Sequence, residues 1–180
     1  MGFNRLEIQR FDESGYYVLD EEFLFSCIYS DGWTERLLTF EIFVDIYYEC
    51  RGEICFFANG YEKKEIESLL GFELPTEIKN LIGLLMNQKE LQLKKYYSDW
   101  FMEDPSKVDF VINRDGISHN TRIAIMLKKL ENPNESEKLL FLLNEEFEKL
   151  REDLYNKKLL ELGLIKPVLT KKEKRRNRRL

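Results

Sequence analysis

Apolar and polar positions change their spacing once along this chain. Up to about Gly60 the apolar side chains fall in short, alternating, aromatic-rich runs, and beyond it they recur every three or four residues. The first part predicts antiparallel sheet. In "FLFSCIYSDGWTERLLTF" Asp31-Gly32 is a preferred two-residue hairpin turn, which would set Ser30 opposite Trp33, Phe25 opposite Leu38 and Phe23 opposite Phe40. In "IYYECRGEICFF" Arg51-Gly52 would be the loop, with Tyr48 facing Cys55 and Ile46 facing Phe57. Side chains alternate along a strand, so both hairpins predict one buried face: Phe23, Phe25, Cys27, Tyr29, Leu38, Phe40, Ile42, Val44, Ile46, Tyr48, Cys55 and Phe57. Upstream, "RLEIQRF" and "YYVL" flank Asp12 to Gly15 as a further hairpin.

The second part predicts helices. Ile66, Leu69 and Leu70 before Gly71 read as a short helix with a glycine stop. Pro75 opens another that carries Ile78, Leu81, Ile82 and Leu85 and runs on through Tyr96, Tyr97, Trp100 and Phe101. Ile123, Met126, Leu127 and Leu130 form a third stripe. Leu140, Leu143, Phe147, Leu150 and Leu154 form a fourth, on a helix from about Asn134 to Leu162. The fold expected is therefore α+β: an N-terminal antiparallel β-meander of residues 1–60, packed with a helical region of residues 61–165.

Composition supports a folded chain. The 180 residues are 43% apolar and 13% aromatic, enough for one good core, and no run of apolar residues is long enough to span a membrane. Leu6 stands where a myristoylation pattern needs Ser or Thr, and no export signal is apparent. Cys27, Cys50 and Cys55 have neither zinc nor C-x-x-C spacing, so the expectation is reduced thiols in a cytoplasmic protein with no metal and no cofactor. No glycine-rich phosphate loop is present either.

Charge divides the chain again. The formal net charge is −5, yet residues 166–180 hold eight basic side chains and one acid, which leaves 20 basic and 32 acidic side chains, a net −12, in the rest. Lys171, Lys172, Lys174, Arg175, Arg176, Arg178 and Arg179 form a basic tail suited to the phosphate backbone of RNA or DNA. The other reading is a solvated end. A second surface feature lies on the opposite sheet face, where Glu41, Asp45 and Glu49 interleave with Phe43 and Tyr47, joined by Ile54 and Phe56. At strand rise, carboxylates four residues apart are about 13 Å from one another, too far to share an ion. This acidic, aromatic face predicts either a helix lying over it or a protein partner of basic character.

The only histidine lies in "NRDGISH", with Arg114 and His119 separated by four residues and Asp115 after the arginine. These residues resemble the R-x(4 to 6)-H motif of the HEPN family, all-helical domains that include metal-independent ribonucleases of toxin and defence systems. The resemblance implies an RNA cleavage in which His119 acts as acid or base, Arg114 stabilises charge on the phosphorane, and Asp115 is the polar residue that usually follows. It also implies a homodimer, for which the Asn134–Leu162 helix is the natural contact. Five residues along a helix rotate by about 140°, so the pair shares a face only if the helix breaks at Gly116. The same residues also read as an Asp115-Gly116 turn with Ser118 capping a following helix. Two functions are thus expected in parallel: a metal-independent endoribonuclease or RNA-associated protein, and a non-catalytic inhibitor or adaptor, of the kind mobile elements carry, that binds a nucleic-acid-processing protein.

Overall fold

A computed structural model describes residues 4–31, 37–58, 63–98, 106–124 and 130–164. Expectations that rest on Gly32, Trp33, Gly60, Trp100, Phe101, Met126, Leu127 and the tail from Lys166 lie outside the described residues. So does any placement of the Leu38 side chain.

The chain opens with a single helical turn, α1 (Arg5–Ile8), and a small hairpin of β1 (Gln9–Phe11) and β2 (Tyr17–Leu19). The expected Asp12–Gly15 turn forms because the Asp12 carboxylate accepts from the amides of Ser14 and Tyr16, while Gly15 takes the left-handed conformation at φ 79°. Next come β3 (Phe23–Ser30), β4 (Leu37–Asp45), β5 (Cys50–Ala58) and β6 (Lys63–Ser68), an antiparallel meander. Helix α2 (Thr76–Met86) follows, then the two-residue β7 (Tyr96–Tyr97), the hairpin of β8 (Lys107–Arg114) and β9 (Ile117–Ala124), and the long α3 (Glu135–Glu161).

The expected split into a sheet half and a helical half is overturned. The main sheet has seven strands in the order β6-β5-β4-β3-β8-β9-β7, and four of them come from the region expected to be helical. β8 pairs antiparallel with β3, and β7 runs parallel to β9, so the sheet is mixed. Among the described residues, α2 and α3 remain of the helices expected there. Ile66 lies on a strand, half-exposed, because "KKEIES" can hydrogen-bond along the open edge of β5; Gly71 takes φ 71° after this strand rather than after a helix. Tyr96 and Tyr97 likewise leave the helical run, as α2 ends at Met86 and the chain turns back to β9. No helix among the described residues is long and apolar enough to cross a membrane.

Both expected hairpin registers shift, with different consequences. In β3–β4, Ser30 pairs with Thr39 and Phe25 with Val44, so the connection is longer than two residues. The shift is even, and Phe25, Cys27, Tyr29, Phe40, Ile42 and Val44 still face one core. Phe23 leaves that face through a bulge next to Phe25 and packs on Phe43 instead. In β4–β5 the turn is Ile46–Glu49, built by the Asp45 carboxylate accepting from the amides of Tyr47 and Glu49 at 2.8 and 2.9 Å, with Tyr48 left-handed at φ 63°. That shift is odd. Ile54 and Phe56 turn into the core, Cys55 and Phe57 turn to the other face, and Ile46 is left half-exposed at the tip. Gly52 is inside the ladder opposite Ile42, where a Cβ would come within 2.0 Å of the Glu41 carbonyl oxygen.

α3 carries out the expectation of a long apolar-striped helix, but spends the stripe on the sheet. Asn134 and Glu137 form a capping box at its start. Leu140, Leu143, Phe147 and Leu150 are buried in the main core, and Phe147 stacks on Phe25 at 5.7 Å and 5° with Phe40 and Phe110 alongside. The stripe is therefore covered by this chain's own sheet. On the opposite face, α1, β1 and β2 cover a smaller core of Ile8, Leu19, Phe23, Ile28, Phe43 and Val111.

Candidate nucleic-acid interface

Asp115 and Gly116 form the two-residue loop of the β8–β9 hairpin, at φ 53° and 76°, the left-handed pair that a tight hairpin needs. Of the sequence readings of "NRDGISH", the turn is present, while the helix to follow it is a strand. Ser118 caps nothing: its hydroxyl accepts from the Leu19 amide and fastens β2 to β9. Arg114 pairs with Ile117 and His119 with Ile112, so alternation sets Arg114 and His119 diagonally on one face of the hairpin. Their environments differ. Arg114 forms an ion pair with Asp115 at 3.2 Å, reaches the Lys89 carbonyl at 3.4 Å, and lines a recess of about 530 Å³ against the end of α2. His119 does not line that recess, and its imidazole has no hydrogen-bond partner among the described residues.

The acidic, aromatic stripe is broken up by the fold. Phe43 is fully buried beneath the N-terminal hairpin, and Glu41 pairs with Arg5 at 2.7 Å. Burial pushes the Glu41 carboxyl above its usual range, against the opposing pull of Arg5. Asp45 is consumed by its turn, and Ile54 and Phe56 sit on the other face. The strand part of the stripe is covered by the β1–β2 hairpin and the single turn α1 rather than by a full helix, and Tyr47 and Glu49 stay exposed at the turn. The basic tail, Lys171 to Arg179, lies outside the described residues.

A different constellation is assembled where the N-terminal hairpin meets β7 and β9. Tyr16 and Tyr17 arrive from β2 and its turn, Lys95 and Tyr96 from the entry to β7, Asp109 from β8, and Asn120 and Arg122 from β9; together they line a cleft of about 320 Å³. The Lys95 ammonium lies 4.2 Å from the centre of the Tyr16 ring and donates to the Tyr16 hydroxyl at 3.1 Å. Tyr16 is 39% exposed and Tyr96 51%. Arg122 grips Asp109 with two hydrogen bonds of 2.5 and 3.0 Å, and the carboxylate keeps the guanidinium even more firmly protonated.

The polar side chains of this cleft are already engaged. Asn120 exchanges both amide functions with the Tyr17 backbone, at 2.8 and 2.9 Å, and also donates to the Ser118 carbonyl. Thr121 donates to the Lys94 carbonyl at 2.6 Å. What remains exposed is aromatic and cationic: the side chains of Tyr16 and Tyr96, and that of Lys95, whose ammonium lies on the Tyr16 ring. The one local signal for this site is "LKKYY", which sets basic beside aromatic residues, but the apolar periodicity predicts those tyrosines on a helix stripe. Among the described residues no group of three His, Cys, Asp or Glu is arranged to hold a metal ion. Comparison of the chain with family models, with curated proteins and with solved structures finds no match.

Proposed function

We propose that this protein binds single-stranded nucleic acid, without sequence preference and without cleaving it. One observation carries the reading: a cleft whose hydrogen-bonding side chains are satisfied within the fold, leaving two exposed tyrosine rings and a lysine to meet a ligand. Stacking on an aromatic ring tolerates every base, and a cation beside it meets the phosphate. Base-edge readout would need free amides or an unpaired guanidinium, and these are engaged. The basic tail adds sequence-independent attraction through counterion release. Arg114 and His119 share a face of the β8–β9 hairpin, but Arg114 is committed to Asp115 and the Lys89 carbonyl, which favours this binding role over the ribonuclease alternative.

Fluorescence anisotropy with labelled ten-residue oligonucleotides tests the proposal. Oligo-U and oligo-A RNA, and their DNA counterparts, should bind within a few-fold of one another. Tyr96→Ala should weaken all of them by about 5- to 150-fold, the range for losing one stacked base. The RNA should remain intact in excess EDTA, equally with His119→Ala. Unchanged affinity in a folded Tyr96→Ala variant would remove the cleft from the binding surface, and cleavage abolished by His119→Ala would restore the ribonuclease reading.

A further inference from the structure

The N-terminal hairpin carries a further aromatic ring beside the tyrosine cleft. Phe11 pairs with Tyr17 across β1 and β2, and alternation puts both on the hairpin face that holds Gln9 and Leu19. Gln9 and Leu19 are buried, but at the tip this face emerges: Phe11 is 63% exposed, the one phenylalanine among the described residues that is mainly exposed. A single apolar side chain on a surface is ordinary. What distinguishes Phe11 is its neighbours.

The Phe11 ring lies 4.6 Å from the Tyr17 ring, centre to centre, with a tilt of 32°. Tyr17 is one of the residues that line the cleft. Its ring also carries the Arg5 guanidinium at 5.4 Å, and Arg5 is held in turn by Glu41 at 2.7 Å. Asn120 clamps the Tyr17 backbone at 2.8 and 2.9 Å. Phe11 is therefore one ring removed from the cleft, and it rests on a neighbour fixed both at its ring and at its backbone.

The cleft, at about 320 Å³, is near the lower end of the range for small ligands, roughly 300–1,000 Å³. A strand that sets a base there must carry its neighbouring bases out past the rim. Sequence-tolerant sites hold such bases on successive aromatic rings, and a ring already in position costs little to order.

We propose that Phe11 is a second stacking residue of this site, taking a base next to the one held in the tyrosine cleft, so that the ligand is an extended single strand rather than a free nucleotide. The inference rests on the nucleic-acid reading above.

Anisotropy with the labelled ten-residue oligo-U RNA tests it through Phe11→Leu, which keeps an apolar contact with Tyr17 and removes the ring. Because the side chain is mainly exposed, Tm should be nearly unchanged. Phe11→Leu should bind about 5- to 150-fold more weakly, the loss for one stacked base, and Phe11→Trp, which keeps a ring, should bind as the wild type does. Uridine monophosphate, with a single base for the cleft, should compete with an unchanged inhibition constant in Phe11→Leu and a raised one in Tyr96→Ala. Wild-type affinity of Phe11→Leu for the oligonucleotide, with Tyr96→Ala weakened, overturns this proposal and leaves the cleft reading in place. Wild-type affinity in both variants overturns both. A uridine monophosphate constant raised in Phe11→Leu means that the ring only shapes the cleft, and that result also overturns the proposal.

Discussion

Gly52→Ala should be among the most damaging single-methyl additions in this chain. Gly52 lies in the β4–β5 ladder opposite Ile42, and its added Cβ would sit 2.0 Å from the Glu41 carbonyl oxygen and 2.9 Å from the Glu41 carbonyl carbon. The closest comfortable carbon–oxygen approach is about 3.3 Å, so the strands must part by roughly 1.3 Å. The obstacle is backbone and cannot rotate away. Overpacking of this kind costs about 1–3 kcal/mol, and one or two loosened ladder hydrogen bonds add about 1 kcal/mol each. A loss of about 3 kcal/mol or more is expected, a large part of a typical 5–15 kcal/mol stability. Urea unfolding followed by far-UV circular dichroism measures it. Gly116→Asn is the matched control: nothing lies within 4 Å of a Cβ there, and φ 76° is a conformation that Asn tolerates, so its loss should stay below about 1 kcal/mol. Were Arg51-Gly52 a hairpin loop, Gly52→Asn would be mild. A Gly52→Ala loss below about 1 kcal/mol, with Gly52→Asn as mild as Gly116→Asn, would refute the register.

The same register separates two aspartate substitutions: Phe40→Asp should unfold the chain, since Phe40 is fully buried, whereas Ile46→Asp at the half-exposed turn should shift the urea midpoint only slightly. Stability should also fall in alkali. Burial pushes the Cys50 thiol up to about 12 and the Tyr97 phenol, with Glu137 assisting, to about 12, and it raises Cys27 further still. The unfolded chain releases these protons from about pH 8.5 upward while the folded chain keeps them, so the stability is full below that pH and lost as pH rises toward the folded values. Urea midpoints at pH 7.5, 9 and 10.5 should decline in that order, and a flat series would count against burial of these groups.

Much of the local structure was legible without coordinates. The 3.6-residue period of Leu140, Leu143, Phe147, Leu150 and Leu154 gave α3 nearly to the residue, and Pro75 with Ile78 and Ile82 located α2. Strands β3, β4 and β5 and the Asp12–Gly15 hairpin were also readable, because alternation and turn chemistry are properties of adjacent residues. The inward face of β3 and β4 survived an error in pairing, since an even slip preserves which side chains share a face. The candidate site was scarcely legible. Arg114 and His119 formed a pattern, but their secondary structure was misread, and Tyr16, Lys95, Tyr96 and Arg122 carry no short motif.

What the sequence alone determined, then, is the set of short-range choices: where α2 and α3 run, which residues can turn, which stretches are apolar enough to be buried, and that the body is acidic while the tail is basic. Tertiary structure decided whether "KKEIES" and the residues around "NRDGISH" would be helix or strand, because a strand is completed by hydrogen bonds to distant chain. β8 exists as the neighbour of β3, some eighty residues away. It also decided the odd slip at β5, where the Asp45 carboxylate outcompeted Arg51-Gly52 for the turn, and with it which of Cys55 and Phe56 enters the core. The tyrosine cleft belongs wholly to this level: it joins segments about a hundred residues apart, and no local spacing encodes a meeting that only the packed sheet brings about.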